Sequence, residues 1–309
     1  MAADERRLTP ISKFKFFVFI RVYLRSSAAK FALLLLVSAP LFSQEFWPGA
    51  NYDPHIPTFH QVLGYEPGER ITSHAGIIRY LEALAAASPR IKIFEYGQSW
   101  EGRQLVYAAI SSETNMKKLA GIRSALQRFA DPRQTSEGDA RKLAATLPAA
   151  VWLSYGVHGD EISSPEAALL TAYHLLAARH DAMADTILAN DVVLLDPIQN
   201  PDGRDRFVNY YEQTRGPEPD ANPMASDHNQ PWPSGRYNHY LFDLNRDWIA
   251  LTQPEIREQV KALREWLPLV YVDLHEMSGD STYFFSPEAD PYNPNLTAAQ
   301  REDLTLRPS

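Results

Sequence analysis

Between residues 149 and 274 short apolar stretches alternate with amphipathic ones, and this alternation constrains the fold more than any other feature of the chain. Residues 149–157, 192–198 and 269–274 have the length and composition of buried strands, while 165–178 and 254–266 have the length and spacing of helices. Strand and helix in turn predict an α/β fold. Its sheet is mixed and largely parallel, with helices on both faces, because a parallel neighbour is reached only through a crossover. In such sheets the side chains that do chemistry gather beyond the carboxyl ends of the strands.

Three metal-ligating side chains fall at those ends. His158-Gly159-Asp160-Glu161 follows the first stretch directly, and His275 ends the last. Each alone is weak in a chain of nine histidines, but two imidazoles and one carboxylate are the ligand set of a catalytic zinc site with one position open to water. With no cysteine in the chain, neither a disulfide nor a thiolate metal site is possible. The pattern points to metal-assisted hydrolysis. Asp273 and Glu276 flank His275 and are acceptors for an imidazole N–H, or are simply solvated. Ser163-Ser164-Pro165-Glu166 has a serine cap and an early proline, which starts a helix just past Glu161.

Two further motifs are ambiguous on composition. Asn200-Pro201-Asp202-Gly203 reads as a β-turn closing the strand 192–198. Asp243-Leu244-Asn245-Arg246-Asp247-Trp248 places an amide beside a guanidinium, which suits a bidentate grip on a carboxylate or a salt-bridged loop. Elsewhere, Ser73 caps a helix over 74–87, and strands 91–96 and 105–111 flank a glycine-bearing hairpin. Residues 117–147 are polar and helical in propensity, with a break at Asp131-Pro132, and 200–240 has the composition of a long surface loop.

The amino terminus has a different character. Arg21, Arg25 and Lys30 precede an apolar run from Phe31 to Val37 and the small residues Ser38, Ala39 and Ser43, the pattern of a secretory signal peptide. The apolar run is shorter than the roughly 20 residues that span a bilayer. The expected organisation is a leader over 1–43, an irregular arm over 44–70 and a catalytic domain over 71–309. The protein is then secreted or periplasmic with no stable membrane span, or membrane-anchored if the leader is not cleaved. Without the leader 23 basic residues face 36 acidic ones, a formal charge of −13. An acidic chain without a basic stripe argues against nucleic acid as a partner.

Taken together, His158-Gly159-Asp160-Glu161, Asn200-Pro201-Asp202-Gly203, Asp243-Leu244-Asn245-Arg246 and His275 resemble, in order and approximate spacing, the zinc carboxypeptidases (metallocarboxypeptidases) of peptidase family M14. The likeness covers roughly residues 70–285, and Ser99-Trp100-Glu101-Gly102-Arg103 adds a weaker signal. It implies a carboxypeptidase-like α/β/α sandwich and a Zn2+ ion held by His158, Glu161 and His275. It also implies that Asn245 and Arg246 bind the terminal carboxylate of a peptide substrate, and that Arg236 is the electrophilic arginine. The resemblance departs at the carboxyl end, where the family carries its general-base glutamate and a closing tyrosine. Only 34 residues follow His275. Glu288 and Glu302 are formal candidates for the base and read as solvated surface residues. The sequence is therefore expected to be a truncated, catalytically impaired carboxypeptidase with a sheet incomplete at that end. The alternatives are a zinc-dependent N-acyl amino acid deacylase or muropeptide amidase, and a non-catalytic peptide-binding fragment.

Overall fold

The structure, a computed structural model, describes residues 46–218, 220–277, 293–299 and 301–302. The leader expected over 1–43 lies outside them, as does Glu288. The chain divides into two units between Ala50 and Asn51, and the second carries the sheet.

Seven strands and nine helices are described: β1 (Asn51–Tyr52), α1 (Phe59–Leu63), α2 (His74–Ala87), β2 (Ile91–Gln98), β3 (Gln104–Ile110), α3 (Glu113–Lys117), α4 (Leu119–Ala130), α5 (Glu137–Thr146), β4 (Ala149–Tyr155), α6 (Ser163–Ala177), β5 (Ala178–Arg179), α7 (Ala182–Asn190), β6 (Asp191–Asp196), α8 (Pro201–Thr214), α9 (Pro254–Trp266) and β7 (Val270–Leu274). The central sheet has the order β2-β3-β6-β4-β7. Its first two pairings are antiparallel and its last two parallel, so the sheet is mixed as expected.

Alternation along the strands builds two cores. In β3, Val106, Ala108 and Ile110 face α2, α6 and α7, while Tyr107 and Ala109 face α4 and α9. Leu194 and Trp152 continue the second layer and are closed off from solvent by Trp266 of α9. Each fully buried aliphatic side chain contributes roughly 1.5–3 kcal/mol, so the two layers hold the sheet between their helices.

Three expectations change. The first third of 200–240 is not loop but helix α8. Asn200 caps it, accepting from Gly203 N at 2.9 Å, and Pro201 occupies its first turn. Its buried side is largely polar (Asp202, Arg204), so no apolar period marks it in the sequence. The arm over 44–70 contains a helical turn, α1, closed by a capping box between Thr58 and Gln61, with Phe59 and Leu63 buried. Helix α6 starts at Ser163 without a serine cap: the Ser163 N–H is satisfied by Glu276 Oε2 at 3.0 Å, from beyond β7.

Candidate metal centre

Strand β4 is followed by Gly156, whose φ of +63° suits a residue without Cβ, and the chain turns sharply into buried Val157 and His158. Gly159 is pressed against the start of α8, where a Cβ would lie 2.1 Å from Arg204 N, and its own N–H donates to Gly235 O at 3.0 Å. The turn bearing His158 and Glu161 is thus stacked backbone to backbone on α8 and on the loop before Arg236.

On this platform His158, Glu161 and His275 each present a ligand atom, and all three atoms lie within 4.8 Å of one another. Both imidazoles turn Nδ1 toward Glu161: His158 Nδ1 is 2.6 Å from Oε1 and His275 Nδ1 is 3.2 Å from Oε2. Both turn Nε2 to a second carboxylate, Asp243 Oδ1 at 3.2 Å for His158 and Asp273 Oδ2 at 2.9 Å for His275. A carboxylate on Nε2 holds the hydrogen there and leaves the Nδ1 lone pair for a metal. Two nitrogen lone pairs and a carboxylate directed at one point repel each other unless a cation or protons lie between. This donor set fits zinc.

Without a cation, protons on the imidazoles offset the carboxylate. Burial raises the Glu161 carboxyl, but hydrogen bonds from His158, His275 and the Glu276 N–H outweigh it and hold the group down at about 2. Bonds to Asp273 and Glu161 push His275 up to about 10 against burial.

The remaining expected residues surround this point. Arg236 donates from Nε and Nη2 to Asp243 Oδ2 at 3.2 and 2.9 Å, and its Nη1 is 3.3 Å from His158 Nδ1. Burial raises Asp243, and the Arg236 pair brings it below the usual carboxylate range. Asn245 Nδ2 lies 3.3 Å from His275 Nε2. Arg246 is exposed and donates to Asn245 O at 3.0 Å. Leu244, fully buried against Val157 and Ile256, anchors this turn.

The other arginines of the segment are spent on structure. Arg204, fully buried, bonds Thr72 O, Ile162 O and Glu166, and Arg206 ties down Ser234 O, Tyr237 O and Asn238 O. Arg215 pairs with Glu212. Asp202 is no turn residue in solvent but a buried acceptor for Ser99 Oγ and Arg103. Glu302 is exposed. Sequence reasoning missed Asp243 as the partner of His158 and Asn200 as the donor to Arg236 O at 3.0 Å. The only signal for Asp243 was its place two residues before Asn245.

A two-faced α/β sheet with a His-Glu-His cluster beyond the carboxyl ends of its strands has the architecture of a metal-dependent hydrolase. The family model for zinc carboxypeptidase matches residues 77–303, and the chain belongs to that family. Among solved structures it is similar to a putative carboxypeptidase from Burkholderia mallei (17% identity, 74% of this chain and 44% of that one, TM-score 0.45). It is also similar to carboxypeptidase A from Helicoverpa armigera (17%, 86% and 59%, 0.43) and to thrombin activatable fibrinolysis inhibitor (15%, 72% and 51%, 0.42). The chain thus spans about half the length of these structures. No curated protein matches it.

Proposed function

We propose that the chain binds one zinc ion through His158, Glu161 and His275 and acts on the carboxyl-terminal bond of peptides bearing a free terminal carboxylate. The observation that carries this reading is the convergence of the three ligand atoms, each imidazole backed by a carboxylate on its far nitrogen. Bound zinc supplies Lewis acidity and lowers the pKa of water toward about 7. Arg236, steadied by Asp243, donates to the carbonyl oxygen that gains negative charge. Asn245 and Arg246 hold the terminal carboxylate.

Every carboxylate described at the centre already has a task. Glu161 faces both imidazoles, Asp243 holds Arg236, Asp273 holds His275, and Glu276 caps α6. We therefore assign the proton acceptor to none of these four; a positioned base contributes roughly 10²- to 10⁴-fold to turnover. The basic and apolar leader favours a location outside the cytoplasm, tested by sequencing the amino terminus of the mature protein. No described helix is long and apolar enough to cross a membrane.

The test compares a peptide with its carboxyl-terminal amide on the zinc-loaded chain, by calorimetry for binding and mass spectrometry for cleavage. The free acid is expected to bind at least about tenfold more tightly, with the preference lost in Arg246→Ala. Equal affinity for acid and amide would overturn this reading in favour of a deacylase or amidase.

A further inference from the structure

The layer between the sheet and α9 is apolar over most of its area, built from Trp152, Leu194, Ala262 and Trp266. A row of polar side chains crosses it at the carboxyl end of the strands. Strand pairing sets Ser154 of β4 beside Asp196 of β6 on one side and beside Asp273 of β7 on the other. Residues in register in parallel strands project from the same face. From α9, Gln259 Nε2 donates to Ser154 Oγ at 2.7 Å and to Asp196 Oδ2 at 3.0 Å, and the Tyr96 hydroxyl donates to the same Oδ2 at 3.0 Å. Ser154, Asp196 and Gln259 are each 0% exposed. At the far end, Asp273 turns Oδ2 to His275 Nε2, while its Oδ1 is shut off from solvent with no hydrogen-bond partner among the described residues.

Stability alone does not account for this row. Polar groups in an apolar layer cost several kcal/mol of desolvation, recovered only when all are paired, and aliphatic side chains of similar size would fill the space without that cost. We infer that Tyr96, Asp196, Gln259 and Ser154 form a positioning row for the metal centre, which seats Ser154 in register beside Asp273 and so shapes the place of the carboxylate that aims His275. Ser154 Oγ accepts from Gln259, which fixes the side chain between α9 and the neighbouring strand. Asp273 is its register partner on the neighbouring strand, strands in a sheet lying about 4.8 Å apart, and its buried Oδ1 is an acceptor without a donor among the described residues. The buried hydroxyl of Tyr271 stands beside Ser154 and adds to the same row. A carboxylate confined to one place offers the imidazole a single direction, which sets its tautomer and ring angle. The inference rests on His275 being a ligand.

The experiment uses the full chain loaded with Co2+, whose visible bands report ligand geometry, together with zinc titration against a chromophoric chelator. Ser154→Ala and Asp196→Leu are expected to weaken zinc binding about tenfold and to shift the Co2+ bands. Asp196→Asn keeps the acceptor and the size, and is expected to keep wild-type bands and affinity to within about twofold. Ser154→Ala removes a single atom, so it carries the test if the leucine variant does not fold. Variants that melt at lower temperature yet keep wild-type zinc affinity and unchanged bands would overturn the positioning role and leave the row purely structural. A wild-type chain that takes up no zinc would overturn the centre itself, and the row with it.

Discussion

A histidine ligates through one nitrogen and is aimed by the other, so the carboxylates behind His158 and His275 matter nearly as much as the ligands. Asp243 touches His158 Nε2, both guanidinium nitrogens of Arg236 that face it, and the Asn245 N–H. Asp243→Ala is expected to lower zinc affinity about 10- to 100-fold in a calorimetric titration while leaving the fold intact, because Leu244 anchors the turn independently. Unchanged affinity would show that Asp243 does not aim the ring. Asp196 yields a prediction about pH. Burial pushes its carboxyl up to about 7, against hydrogen bonds from Tyr96, Gln259 and the Ile198 N–H. Unfolded, it titrates at about 3.9. Between these values the folded chain keeps a proton that the unfolded chain has released, so this group lowers stability as pH rises from about 4 to about 7, by at most about 1.4 kcal/mol per pH unit, and not further above. The melting temperature of Asp196→Asn is therefore expected to gain on that of the wild type between about pH 5 and about pH 8. A constant difference would contradict it.

Among the elements, those legible in the sequence are the ones whose buried face is apolar. β3, β4, β6, β7, α2 and α9 carry regular apolar spacing and appear close to where the spacing puts them, and the candidate ligands His158, Glu161 and His275 sit at the strand ends that spacing defines. Helix α8 was illegible for the opposite reason: Asp202 and Arg204 are buried for their hydrogen bonds, and no hydropathy pattern reports that. Asp243 and Asn200 were hidden because their roles depend on partners 85 and 36 residues away. The contact between the His158 turn and α8 gives a sharp test. Gly159→Ala drives a methyl group into the backbone of Gly203 and Arg204 and is expected to cost more than about 3 kcal/mol by urea denaturation. Gly121→Ala, at an exposed position of helix α4 with nothing within 4 Å of the new carbon, is expected to stabilise by about 0.5–1 kcal/mol. Similar values for the two would mean that the turn is not packed as described.

For the whole molecule, β7 is the last strand of the central sheet among the described residues. Strand β7 pairs with β4 and carries Val270 and Val272, 44% and 37% exposed, with Leu269 just before it 76% exposed. Exposed apolar strands at a sheet margin invite association. Val270→Lys with Val272→Lys is expected to reduce concentration-dependent light scattering without altering zinc uptake; unchanged scattering would show that this margin does not mediate association. The chain folds around one candidate metal centre that joins side chains more than 110 residues apart. Its most direct test is a zinc titration of the wild-type chain and of His275→Ala, followed by isothermal calorimetry. One zinc ion per wild-type chain and none held tightly by the variant is the predicted result. No zinc uptake by the wild type, or equal uptake by both, would contradict it.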